Sequence, residues 1–159
     1  MAAVLGENAK LYYNLDSTYG GTGTYGTPDW DEICNVMELT LSLEQSEVEV
    51  TRRCSSGFRD YLQGLIDATI TFKMLWDTGD AAFEDFQEAF FNKTVIEVAV
   101  MDGNIATAGS EGLRSVCLVR SFSRSENIGE ALTVDIALKP AENDYNSGAY
   151  VAPSWYEIP

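Results

Sequence analysis

Alternation with a period of two runs through the middle of this chain, and it constrains the fold more than any other feature. Met37, Leu39, Leu41 and Leu43 fall on one parity, with Glu38, Thr40, Ser42 and Glu44 on the other. Ile66, Ala68, Ile70, Phe72, Met74 and Trp76 oppose Asp67, Thr69, Thr71 and Lys73 in the same way, and Leu132, Val134, Ile136 and Leu138 oppose Thr133, Asp135, Ala137 and Lys139. Successive side chains of a strand leave opposite faces, so this pattern predicts antiparallel sheet with one face on a core and the other in water. Val48 and Val50, set against Glu47 and Glu49, extend the habit. One segment changes period: Phe83, Phe86 and Phe90, with Ala82 and Ala89, form a helical stripe over about residues 80–92. Thr78 or Asp80 suits its cap, and Glu84 and Asp85 suit the positive end of its dipole. Residues 95–101 read as a strand ended by the turn pair Asp102-Gly103, and 113–124 as another. The expectation is a mainly β protein: an antiparallel β-sandwich or split barrel with one flanking α-helix.

A chain of 159 residues is the size of one domain with a core of its own. No apolar run is long enough for a membrane helix, and no secretion signal opens the chain, so no membrane partner is expected. Three cysteines, Cys34, Cys54 and Cys117, without a CxxC spacing predict reduced thiols. Histidine is absent, which removes the usual general base, the Ser-His-Asp arrangement and every histidine-containing metal site. The formal net charge of −15 makes binding of nucleic acid by phosphate neutralisation an unfavourable prospect.

Candidate chemistry is thin. Asp77-Thr78-Gly79 resembles the Asp-Thr-Gly signature of retroviral-type aspartic proteases, whose dimer brings two carboxylates together to share a proton. Here it stands at a strand-to-helix junction, where turn and capping chemistry account for it. Asp77, Asp80, Glu84, Asp85 and Glu88 lack the ligand order of a calcium loop, and Gly20-Gly21-Thr22-Gly23 has neither a lysine nor a helix behind it. No catalytic residue, cofactor or metal is expected, and the chain reads as a non-enzyme.

Two segments differ from the rest. Residues 14–32 are rich in glycine and tyrosine, and 141–159 form a C-terminal extension or arm beyond a β domain spanning 1–140. They contain Tyr19, Tyr25, Trp30, Tyr145, Tyr150, Trp155 and Tyr156, but no phenylalanine. Tyrosine and tryptophan are favoured at interfaces, so these segments are expected to dock on another subunit, local packing or disorder being the alternative. The arginines cluster too: Arg52, Arg53 and Arg59 lie between two strands, and Arg114, Arg120 and Arg124 share one parity of a later strand. They are either solubilising charge or receivers for acidic groups of a neighbouring copy.

A series of separated blocks carries a resemblance. It runs Asn35-Val36-x-Glu38-Leu39-Thr40-Leu41, Thr51-Arg52-Arg53, Gly57-Phe58-Arg59, then Asp67-Ala68-Thr69-Ile70-Thr71-Phe72-x-Met74-x-Trp76-Asp77-Thr78-x-Asp80 with Ala89-Phe90. Val100-Met101-Asp102-Gly103, Gly112-Leu113-Arg114, Phe122-Ser123-Arg124-x-Glu126 and Glu130-Ala131-Leu132-x-Val134 through Leu138-Lys139-Pro140 complete it. In this order, over roughly residues 32–140, the chain resembles the tail tube (major tail) proteins of long-tailed bacteriophages and prophages. The resemblance implies a structural virion protein that forms homohexameric rings. Stacked rings make a tube whose inner strands join into one β-barrel, a channel for the tape measure protein and for DNA ejection. It also implies tail terminator or tip proteins as partners, viral DNA in transit without specific binding, assembly in the host cytoplasm and residence in the virion tail. Glu38, Glu44, Glu47, Glu49, Asp67 and Asp135, on the polar parity of their strands, are then the expected channel lining. The linker at 44–66, with Arg52, Arg53 and Arg59, resembles the loop that reaches the adjacent ring. A type VI secretion or gene-transfer-agent tube protein is the nearest alternative. A monomeric ligand-binding β-barrel or an Asp-Thr-Gly protease is the alternative of another class.

Overall fold

Strand pairing converts the alternation into one sheet rolled about an aromatic core. The computed structural model describes residues 3–14, 26, 28–144 and 148–159. Among these, β1 (Lys10–Asn14), β2 (Trp30–Glu32), β3 (Val36–Glu49), β4 (Tyr61–Leu75), β5 (Val95–Met101), β6 (Glu111–Ser125), β7 (Thr133–Pro140) and β8 (Ser154–Glu157) accompany one helix, α1 (Ala81–Asn92). The sheet order is β2-β1-β5-β6-β7-β4-β3, with β8 paired to the start of β6 beyond the end of β7. Every pairing is antiparallel.

The apolar parities meet inside. Ile70, Phe72 and Met74 of β4 and Val134, Ile136 and Leu138 of β7 join Leu11, Tyr13, Ile96, Val98, Leu113 and Cys117 in the main core. Helix α1 closes it with Ala82, Phe83, Phe86 and Ala89, all buried. Phe86 meets Phe72 edge-on at 5.3 Å and Phe83 meets Trp76 edge-on at 4.9 Å, while Phe90 stacks on Phe122 at 6.0 Å. Each buried phenylalanine contributes roughly 1.5–3 kcal/mol by burial, and each ring pair about 0.5–1.5 kcal/mol more. Asp80 occupies the N-cap position, but its carboxylate accepts from Asn35 Nδ2 at 3.0 Å and not from a helix N–H. That contact ties the helix start to the turn before β3. The helix ends at Lys93, held in the left-handed region at φ 57°.

Three strands, β1, β2 and β8, go beyond the alternation reading. β1 lies buried along Leu11–Asn14, and β5 from Ile96 to Met101, because both faces of these strands are covered. The second face is closed by a smaller cluster: Tyr12, Ala99 and Met101 beneath Trp30, Ile105, Tyr156 and Ile158.

Three irregularities re-aim side chains. Met37 is an extra residue of β3 against β4 and stands exposed, so it leaves the face of Leu39 and Leu41 expected for it. Arg120 is an extra residue of β6 against β7, so Arg124 leaves the parity of Arg114. Between Ile66 and Gln63, β4 has one residue more than β3 has between Gln45 and Glu47. Such bulges bend a strand and shift its parity.

Candidate functional site: the polar sheet face and the projecting hairpin

The hairpin of β3 and β4 divides into two halves at the third bulge. In the half nearer the core, Leu39 pairs with Phe72 and Leu41 with Ile70 on the core side. On the other side Glu38 faces Lys73, Thr40 faces Thr71, Ser42 faces Thr69 and Glu44 faces Asp67. β7 and β6 extend this polar face, with Asp135 next to Lys73 on one side and Ser123 on the other, and Ala137 between Thr71 and Ser121. The result is a broad surface of carboxylates and small hydroxyl side chains with a shallow groove of about 210 Å³ lined by Glu38, Thr40, Thr71, Lys73, Ser121 and Asp135.

The carboxylates of this face are partly neutralised within the chain. Lys139 Nζ reaches both oxygens of Asp67 at 2.9 Å, and Lys73 Nζ lies 3.8 Å from Glu38. Four carboxylates, Glu38, Glu44, Asp67 and Asp135, therefore share it with two lysines. Glu44 and Asp67 sit directly opposite each other, a like-charge pairing that Lys139 relieves.

Glu47 and Glu49 do not belong to this face, contrary to the expectation that all six carboxylates line one surface. β3 carries no extra residue between Leu43 and Glu49, so its alternation continues and puts Glu47 and Glu49 on the side of Leu39, Leu41 and Leu43. The extra residue lies across the ladder, in β4. Ser46 Oγ accepts from Leu65 N at 3.0 Å and donates to Leu65 O at 3.4 Å, clasping the bulge. A Cβ on Gly64 would fall 2.2 Å from that Oγ, so only glycine fits there without a shift.

Beyond the bulge the hairpin projects to a tip at 50–60. Residues 44–49 and 61–66, expected as part of a linker, are paired strand; the connection itself is shorter. Arg52, Arg53 and Arg59 are all exposed there, and no ion pair among the described residues engages them. The tip is ordered by its own turns: Ser55 N donates to Arg52 O, and Asp60 N to Thr51 Oγ1 at 3.2 Å. β3 is the last strand of the sheet, so along its length it presents an unpaired edge.

Arg114 is a correction to the idea that these arginines await a neighbour. It is buried, and its Nε donates to Glu97 Oε1, itself fully buried, while Asn14 Nδ2 donates to the other Glu97 oxygen at 3.1 Å. The guanidinium lies over Trp30 and Tyr156, 5.2 and 5.3 Å from their ring centres. A charge pair taken out of water survives only with such partners. Trp30 and Tyr156 are thus engaged within their own chain, against the expectation that they dock elsewhere. Tyr150 and Trp155 stay exposed, beside an apolar hollow of about 420 Å³ lined with Leu43, Ile66, Leu113 and Pro153. Tyr19, Tyr25 and Tyr145 lie outside the described residues. Arg124 pairs with Glu126 and lies over Trp76 at 5.1 Å. The Glu97–Arg114 pair was detectable in principle: Glu97 interrupts the apolar run Val95-Ile96-Glu97-Val98-Ala99-Val100, and a buried acid requires a cation.

Among the described residues no catalytic constellation accompanies these surfaces. Asp77 Oδ1 accepts from Gly79 N at 2.9 Å, the turn expected of it. Among the described residues no cluster of cysteine and carboxylate side chains could hold a metal, and no helix is long and apolar enough to cross a membrane. Burial pushes the Cys117 thiol up to about 12, which leaves it inert.

A rolled antiparallel sheet with an open edge, a hydroxyl-rich face and a projecting basic hairpin defines a structural module built to meet other chains. The chain belongs to the phage tail tube protein family, whose model matches residues 21–141. This is a family of structural tube proteins, not of enzymes. No curated protein matches the chain in sequence. Among solved structures it is similar to the tail of an empty gene transfer agent particle refined with C6 symmetry, at 17% identity over 97% of this chain and 99% of that one, with a TM-score of 0.72. It is likewise similar to the SPP1 tail tube, at 13% identity over 99% and 81% with a TM-score of 0.67. A chain of the six-fold symmetrised anti-feeding prophage baseplate aligns at 11% identity over 99% and 98%, with a TM-score of 0.60.

Proposed function

We propose that this chain assembles into homohexameric rings that stack as a tail tube, with the polar face of β3, β4, β7 and the second half of β6 turned to the bore. Glu38, Glu44, Asp67 and Asp135 line it, interspersed with Thr40, Ser42, Thr69, Thr71, Ser121 and Ser123. The observation that carries this reading is the pairing of that face with the open edge of β3 in one four-stranded unit. A neighbour that completes the edge also continues the face, and the repetition closes a barrel.

Such a wall suits a conduit. Its carboxylates repel the phosphates of viral DNA within about 8–10 Å, and lysines already held by Glu38 and Asp67 offer little to bind. The tape measure protein occupies the bore during assembly, and terminator or tip proteins cap the stack. Assembly takes place in the host cytoplasm and the product resides in the virion tail. The basic hairpin tip reaches the adjacent ring, where Arg52, Arg53 and Arg59 meet carboxylates. A contact between unlike ends of the molecule does not close on itself, which is the geometry of a filament.

Sedimentation velocity and negative-stain imaging of the purified chain at increasing concentration test the reading. Six-fold rings or hollow filaments are expected; a species that stays monomeric throughout contradicts it.

A further inference from the structure

The bulge at Gly64 inverts the hairpin. Nearer the core, the polar side chains face the proposed bore and the apolar ones face inward. Past the bulge, Val48 pairs with Leu62 on the same side as Ser46, Glu44 and Asp67, while Glu47 pairs with Gln63 and Glu49 with Tyr61 on the opposite side. Ser46 and the absent side chain of Gly64 share that first side, since a Cβ there would strike Ser46 Oγ. The bore-side surface therefore turns from carboxylate and hydroxyl to aliphatic within two residues. Leu65 is 86% exposed on it, Leu62 60% and Val48 56%, and Ile66 is 69% exposed on the other side.

We propose that a second copy of this chain covers the Val48–Leu62–Leu65 face of the outer hairpin, and that the Ser46–Gly64 bulge serves to present it. This rests on the tube reading and adds to it which side of the hairpin is buried. Left on the bore side, three aliphatic side chains would put a sticky apolar band into a channel whose wall is otherwise polar. Charge selects the occupant. The tip at 50–60 holds three arginines against one aspartate, in a chain of net charge −15. The best electrostatic partner for that tip is an acidic surface, and another copy supplies one. The face is also continuous with the open edge of β3, where the neighbouring copy is already expected. Glu47, Glu49 and Gln63, on the reverse side, remain in water.

Single-cysteine labelling tests this. In a parent carrying Cys34→Ser and Cys54→Ser, with Cys117 left buried, Leu62→Cys and Gln63→Cys place thiols on opposite sides of adjacent positions. On assembly, maleimide labelling at position 62 should slow by about tenfold or more, while position 63 changes by less than about threefold. Equal labelling of both positions in assembled tubes overturns the proposal, as does protection at 63 alone. Failure of the parent to assemble overturns the tube reading and this inference with it, and is recognised before any label is added. Gly64→Ala supplies a second readout: the fold should stay intact by circular dichroism while tube growth slows by about tenfold. Growth at the parental rate would show that the bulge does not set the contact.

Discussion

The two faces of β5 and β6 are finished; the outer half of the β3–β4 hairpin has none that is. β5 and the first half of β6 have the main core on one side and, on the other, a buried Glu97–Arg114 pair under Trp30 and Tyr156. From the Gly64 bulge outward, the hairpin exposes Val48, Leu62 and Leu65 on one side, Glu47, Gln63 and Glu49 on the other, and three arginines at its tip. The same chain thus holds a region whose interactions are satisfied internally and one whose interactions are deferred. Mutations should separate them: in the first, stability of the unassembled protein suffers; in the second, only assembly does.

The largest effect is expected from Arg114→Ala. It strands a buried carboxylate and should cost about 3–5 kcal/mol in urea unfolding of the unassembled protein, a large share of the roughly 5–15 kcal/mol typical of a domain. A loss below about 1 kcal/mol would show that the second face is not closed as described. Tyr156→Ala removes one ring from over the guanidinium and should cost about 1–3 kcal/mol by the same measurement. Trp30 is left in place there, so the loss should stay below that of Arg114→Ala.

Asp85→Asn is a smaller and opposite change. Burial, and then the neighbouring Glu88, Glu84 and Asp31, raise this carboxyl above its usual range, while Tyr13 pulls the other way. A folded-state pKa raised above the unfolded value means stability that is fully present below the unfolded pKa and lost as pH rises through the folded one. Asparagine should therefore raise Tm by roughly 1–3 °C at pH 7, with the gain fading as the pH falls into the acid range. A gain that grows on acidification would contradict the sign. Smallest in stability is Arg52→Glu with Arg53→Glu, within about 0.5 kcal/mol of the parent, yet tube growth should stop. Unimpaired growth would detach the basic tip from the contact.

Much of this contrast was legible in the sequence. The parities of 37–43, 66–76 and 132–138 placed β3, β4 and β7, and the phenylalanine spacing placed α1. β1 and β8 escaped for different reasons. β1 is covered on both faces and shows no alternation, and β8 is a four-residue strand inside a segment whose composition suggests an arm. The acidic face was half legible. The apolar parity itself changes between Leu43 and Val48, and that change is the sequence trace of the inversion. Treating Glu44 and Glu47 as one polar set overlooked it, because an unbroken strand keeps its parity. Nothing in composition tells which partner strand accommodates the mismatch, although a glycine at position 64 suits a bulge. The ordered blocks over roughly 32–140 anticipated the family, whose match spans 21–141. The burial of Arg114 was not anticipated, since a strand arginine reads as surface until its acid is found.

Cryo-electron microscopy of tubes grown from the purified chain tests the central claim most directly. The account predicts six subunits per ring, Glu38, Asp67 and Asp135 on the bore, and Leu62 buried against a neighbour. A tube with those carboxylates on its outer wall would contradict it.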